Sequence, residues 1–281
     1  MTMYVKQTTY ELIPWINFWQ MNSWTVSLNP NAIDFLEVHP YYIKWDKLSE
    51  NPNAIHLLEA NQDKIDWDKL SKNPNAIHLL EANPYKIDWN NLSENPSAIH
   101  LLEANPHKIH WRNLSKNPNA IHLLKANVDK IWWVNLSENP NAIHLLKANP
   151  HKIYWDYLSL NPNAIDLLEA NLNKIDWDNL SENPNAIHLL EANPKYINWK
   201  NLSKNPNAIH LLKADRINWE NLSKNPNAIH ILRNNQDKID WYYFSAHPTL
   251  FVSKYNYDEY TFYDEQIIRK RLSKRQTDLI S

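Results

Sequence analysis

A block of 22 residues, IDWDKLSKNPNAIHLLEANPYK from Ile65 to Lys86, recurs through almost the whole chain. A period this short restricts the fold to a solenoid or an array, because one copy cannot bury its own apolar face and must stack on its neighbours. Tryptophans mark the phase at Trp24, Trp45, Trp67, Trp89, Trp111, Trp133, Trp155, Trp177, Trp199, Trp219 and Trp241, and eight of the ten intervals are 22 residues.

Within one copy, Asn73-Pro74 reads as a helix start, asparagine being a good N-cap and proline fitting the first helical position. The helix then runs from Asn75 to about Ala82, with Ala76, Ile77, Leu79 and Leu80 on one arc and His78 opposite them. The chain contains no glycine, so Asn61, Asn83, Asn105, Asn127, Asn149, Asn171 and Asn193 are expected to end the helices in left-handed conformations. Asp88 caps a second, shorter helix from Trp89 to about Glu94 whose inner face carries Trp89 and Leu92.

Helices this short do not persist alone in water, so stacking supplies their stability. The expected fold is all-α, an α-solenoid of about ten helix-turn-helix copies; at a step of ~8 to 10 Å these span roughly 90 to 100 Å. The alternative, a leucine-rich-repeat-like α/β horseshoe, takes Ile-x-Trp as a strand, but that segment is very short. Residues 1–23 read as an N-terminal capping half-repeat with Leu12, Ile13, Trp15 and Trp19 covering the first face, and 24–244 as the array. Residues 245–281 read as a C-terminal cap opening at His247-Pro248 and ending in a basic tail helix with Arg269, Lys270, Arg271, Lys274 and Arg275. The one large deletion, two residues before Trp219, falls where a loop is expected.

Composition narrows function. There are 29 basic and 31 acidic residues, so no global field draws the chain to nucleic acid or lipid, and the tryptophans are needed as phase markers. Absence of cysteine removes disulfides, thiolate metal sites and a cysteine nucleophile, and absence of glycine removes phosphate-binding loops and nucleophile elbows. Without a leader or a membrane-length apolar run, the expected setting is intracellular, and the six Asn-Leu-Ser sequons are read as repeat consensus. No cofactor and no small-molecule substrate are expected.

The NPNAIHLLEAN helix joined to KIDWDKLS resembles short tryptophan-containing NPNAI repeats of proteins encoded by giant, nucleocytoplasmic large DNA viruses, over roughly residues 11–251. The resemblance implies an interaction scaffold acting during infection. The expected setting is host cytoplasm or viral factory, and the basic tail from Arg269 to Arg275 reads as a solvated terminal helix, with a nuclear-import or nucleic-acid contact as the alternative. It transfers no catalytic residue.

Three columns carry side chains of possible function. His56, His78, His100, His122, His144, His188, His210 and His230, interrupted by Asp166, form a solvated column. Neighbours ~8 to 10 Å apart cannot share an ion with bonds of about 2 Å, so no metal is expected. The column Glu50, Lys72, Glu94, Lys116, Glu138, Leu160, Glu182, Lys204 and Lys224 largely alternates in sign, which favours correct stacking. Just before the tryptophan, Asp66, Asp88, Asp176, Asn198, Asn218 and Asp240 are caps, but three consecutive copies present His110, Trp132 and Tyr154 instead. With His107, Val134, His151 and Tyr157 they form the candidate patch for a protein partner, its composition being that of a binding hot spot. An adaptor binding a host or viral protein is the leading expectation, a structural component of a virion or factory the second. An enzyme is not expected, since repetition gives every copy the same surroundings.

Overall fold

In the computed structural model, which describes residues 9–253, each copy is one turn of a helical stack. A typical turn contains a helix Ile77–Ala82, a 3₁₀ turn Pro84–Lys86 and a helix Trp89–Glu94. Leu80 and Leu92 are fully buried together with Ala76, and the same column positions fill the core all along the array. Among the described residues the strands are Tyr10–Leu12 (β1) and Phe251–Ser253 (β2), so Ile-x-Trp forms none and the horseshoe alternative falls away.

Two local expectations are corrected. Asn73 does not cap the helix, which begins at Ile77 behind Ala76 at φ −97° and ψ 12°. Its carbonyl instead accepts from Asn75 N at 3.0 Å, while Nδ2 reaches back to the preceding turn and donates to Ser49 O at 3.1 Å and Asn51 O at 2.9 Å. Nor does asparagine end helices in left-handed backbone, since no described residue has positive φ. Asn83 stays at φ −132° and caps with its side chain, Nδ2 donating to Leu79 O at 3.0 Å. The Asp88 cap is present, its carboxylate accepting from Asn91 N at 2.7 Å.

A buried Ser column joins the two halves of each turn. Ser71 Oγ donates to Trp67 O at 2.8 Å and accepts from Asp88 N at 3.0 Å. The column tryptophans are half-buried rather than fully buried, and most are lidded by a cation from the following turn, as Lys86 Nζ lies 4.3 Å from the Trp67 ring. At Trp177 the lid is Tyr196, stacked at 4.9 Å, because Lys and Tyr exchange places in that copy.

The stack closes on itself. The asparagine ladder runs Asn51, Asn73, Asn95, Asn117, Asn139, Asn161, Asn183, Asn205 and Asn225, each donating to the turn before it. Asn29 continues the same pattern onto the far end of the chain, donating to Ser245 O at 3.3 Å and His247 O at 2.6 Å. Asn31 Nδ2 donates to Pro248 O at 2.8 Å just as Asn75 donates to Pro52 O at 2.9 Å. Asn29, the nine ladder asparagines above and His247 therefore mark eleven turns of a ring, not an open rod with two separated caps.

The eleventh turn is shared by both ends of the chain. Trp241–Leu250 supplies its first half and Ile13–Asn22 its second. Across the chain break, Ile13 N donates to Leu250 O at 3.1 Å, the counterpart of Leu79 N to Ala76 O at 3.0 Å. Asn22 N donates to Ser245 Oγ at 2.8 Å, the counterpart of Asp88 N to Ser71 Oγ. Strands β1 and β2 then pair antiparallel, Tyr10 opposite Ser253 and Leu12 opposite Phe251. In this register Ser23, not Trp24, occupies the tryptophan column, and Trp24 is 52% exposed. Trp19 does not cover an end face either, being 70% exposed, whereas Trp15 stacks on Phe244 at 6.1 Å.

The deletion before Trp219 shortens the helix of that copy to a 3₁₀ turn, Ile209–Leu211, and leaves the ladder intact, with Asn225 still donating to Ser203 O and Asn205 O. The basic tail Arg269 to Arg275 lies outside the described residues.

Candidate functional site

The site begins where capping stops. Asp66 Oδ1 accepts from Lys69 N at 3.0 Å, whereas His110, Trp132 and Tyr154 make no side-chain cap. Their backbone is nonetheless held as elsewhere, with Trp132 N donating to Ser115 Oγ at 3.0 Å and Tyr154 N to Ser137 Oγ at 3.1 Å. Main-chain bonding thus fixes the position while the side chain is released outward, and Trp132 is 51% exposed and Tyr154 47%.

Between these two rings lies a groove of about 600 Å³ lined by Ile131, Trp132, Trp133, Val134, His151, Lys152, Ile153 and Tyr154. Four of the seven residues expected at a binding patch, Trp132, Val134, His151 and Tyr154, meet there. Tyr157 is exposed beside the array but does not line it, and His107 is exposed on an earlier turn. His110 is half-buried, with a buried Nδ1 that has no hydrogen-bond partner among the described residues. Two cations sit on the groove's aromatic rings, the Arg112 guanidinium 5.4 Å from Trp132 and Lys152 Nζ 4.9 Å from Trp133.

Sequence reading missed a second aromatic surface at the ring closure, where Trp19, Trp24, Tyr41 and Val38 are all exposed. Its signal was the shift in register at Ser23, hidden because Trp24 looked like the first phase marker. A smaller cavity of about 280 Å³ lies against the paired strands, lined by Tyr10, Asn31, Pro248, Thr249, Phe251, Val252 and Ser253.

The histidine column is exposed and faces carboxylates, not other histidines. His56, His78, His100, His122, His188 and His210 each put Nε2 within 2.7 to 3.2 Å of a glutamate of the preceding turn. The sign-alternating column contributes Lys72 to Glu94 at 3.7 Å, Lys116 to Glu138 at 3.9 Å, and the pair Lys204 and Glu182. Of the buried titratable groups, His247 occupies the ladder position of the eleventh turn, and burial pushes its imidazole below the usual histidine range.

Fold and site define a class, a ring of helical tandem-repeat turns with an aromatic groove on its surface. Residues 19–182, more than half of the chain, match the family described as periplasmic copper-binding protein (NosD), and on that extent the chain belongs to the NosD family. No curated protein and no solved structure matches it. The matched span consists mostly of tandem copies, and the copper in the family's description has no fitting donor set among the described residues. Cysteine is absent, Met21 is the one described methionine and is buried, and each paired column histidine meets a single carboxylate. No group of three or more His, Cys, Asp or Glu among the described residues is arranged to hold a metal.

Proposed function

We propose that this ring is a non-enzymatic scaffold that binds a protein partner through the groove between Trp132 and Tyr154. The observation that carries the reading is the release of two aromatic side chains from a capping column, at adjacent turns, onto one concave surface of about 600 Å³. Exposed aromatics in a rigid frame lose little entropy on binding and are the residue types that dominate interface energies. The Ser, His and Asp of the repeat columns have the same surroundings from copy to copy, which supports binding over catalysis.

The resemblance to giant-virus NPNAI repeats sets the proposed context, an adaptor acting inside the infected cell. Lack of cysteine suits that setting, and no described helix is long and apolar enough to cross a membrane. Tagged full-length chain, wild type and Trp132→Ala/Tyr154→Ala, should be compared by affinity capture from the producing cells. Loss of a specific protein from the double variant is expected, and a capture profile unchanged by both substitutions would sink the groove reading. A host protein as the lost partner supports the adaptor, and a capsid protein the structural role.

A further inference from the structure

We infer that the groove's partner is an acidic peptide segment carrying an aromatic or aliphatic anchor. This rests on the groove being the binding site. Beside the groove, the rim that carries the tryptophan column loses its acids at two adjacent turns. At Trp67, Trp89, Trp177 and Trp219 acids or their amides flank the tryptophan on both sides, as Asp66 and Asp68 do around Trp67 and Asp176 and Asp178 around Trp177. Around Trp111 the flanking pair becomes His110 and Arg112, and around Trp133 it becomes Trp132 and Val134. Carboxylate is thus missing from the flanks of Trp111 and Trp133 and returns with Asp156 after Trp155, while the lysine column runs on through Lys108, Lys130 and Lys152.

No carboxylate lines the groove, whereas Lys152 lines it directly and Arg112 lies over the Trp132 ring. The nearest acids in sequence, Asp129 and Asp156, belong to neighbouring positions and leave the lining itself cationic and aromatic. A cation resting on a ring face keeps part of its charge available to a bound carboxylate, so the two flanking cations can grip acids on either side of an apolar anchor. Charge complementarity of this kind sets association rate and selects against basic segments, while the rings supply the contact area.

The test uses the full chain and two fluorescein-labelled probes, a short peptide alternating glutamate with tyrosine and its lysine-for-glutamate counterpart, followed by fluorescence anisotropy. The acidic probe is expected to bind and the lysine probe to bind at least about tenfold more weakly. Trp132→Ala and Lys152→Glu should each weaken the acidic probe by about tenfold or more. The ladder lies elsewhere, so both variants should keep the wild-type circular dichroism, Trp132→Ala with the wild-type melting curve and Lys152→Glu with a slightly lower melting temperature from the lost cation over Trp133. Equal binding of the two probes, or an unchanged affinity in Lys152→Glu, overturns the acidic partner while leaving the groove itself in place. If Trp132→Ala leaves acidic-probe binding untouched, the groove reading fails as well. Sedimentation of the full chain adds a last outcome: self-association abolished by Trp132→Ala would mean that a second copy fills the groove, which overturns the proposal of a separate partner.

Discussion

The asparagine of each Asn-Pro pair on the ladder does two things with one amide. Its carbonyl shapes its own turn and its Nδ2 holds the turn before it, both in a buried setting. Asn73→Ala removes two donated bonds in the core, from the carbonyls of Ser49 and Asn51, of which Asn51 O keeps its bond from Ala54 N at 3.2 Å. We expect a loss of about 2 to 4 kcal/mol in urea denaturation, against about 1 kcal/mol or less for Asn75→Ala, whose bond to Pro52 O is solvent-exposed. The apolar columns and the aspartate caps were legible from periodicity, but this ladder was not, because Asn-Pro is also the ordinary spelling of a helix start. Trp132→Asp should run the other way: it restores a cap and gains up to about 1 kcal/mol in the same assay while abolishing groove binding. His247 stands in the ladder with Nδ1 accepting from Thr249 N at 3.3 Å, which requires the neutral ring. Burial lowers its folded pKa below the free value of 6.5, so the unfolded chain takes the proton more readily. Stability from this group is full above that value and falls as pH drops from it through the lower folded pKa. Melting temperature measured from pH 8 downward should therefore fall less steeply in His247→Asn than in wild type.

The eleventh turn shows how a repeat can end without a cap. An open stack exposes two apolar faces and two rows of unpaired backbone groups, and here each end completes the other. Ile13, Ile16 and Met21 are buried in positions that a continuous copy would fill with its second half. Sequence reading identified both ends as decayed copies and assigned them to opposite caps, because nothing in a linear alignment says that two half-copies are halves of the same turn. Register was the missing information, and it follows once Met21-Asn22-Ser23 is set against Ile87-Asp88-Trp89. Removing residues 1–22 deletes the buried side chains of Ile13, Ile16 and Met21 and the β1 to β2 pairing. At about 1.5 to 3 kcal/mol for each buried apolar side chain, stability should fall by about 5 kcal/mol or more. The exposed face of Phe244 and Leu250 should then drive self-association, read as concentration-dependent sedimentation. A melting curve equal to wild type would mean that the shared turn contributes nothing to the fold.

At the scale of the molecule, closure replaces one-dimensional growth by a fixed number of turns, and it gives the array a rim on which sites hold constant positions. The mid-array groove and the exposed aromatics at the closure lie on opposite sides of the sequence of turns, Trp132 to Tyr154 against Trp19 to Tyr41. An open solenoid would let such sites move relative to one another through accumulated small changes in twist. In a ring, the ladder bonds of every turn must shift together before any pair of sites can separate. The same constraint fixes overall dimensions, which gives a direct test by small-angle X-ray scattering. With a step of ~8 to 10 Å, eleven turns make a circumference of about 90 to 110 Å, hence a ring about 30 to 35 Å across between helix axes. A radius of gyration of roughly 17 to 20 Å follows for the array, where a straight stack of the same turns gives about 30 Å. A scattering profile with the larger radius and a maximum dimension near the full length of the stack would show that the ends do not meet, and the shared turn, the His247 latch and the fixed rim would fall with it.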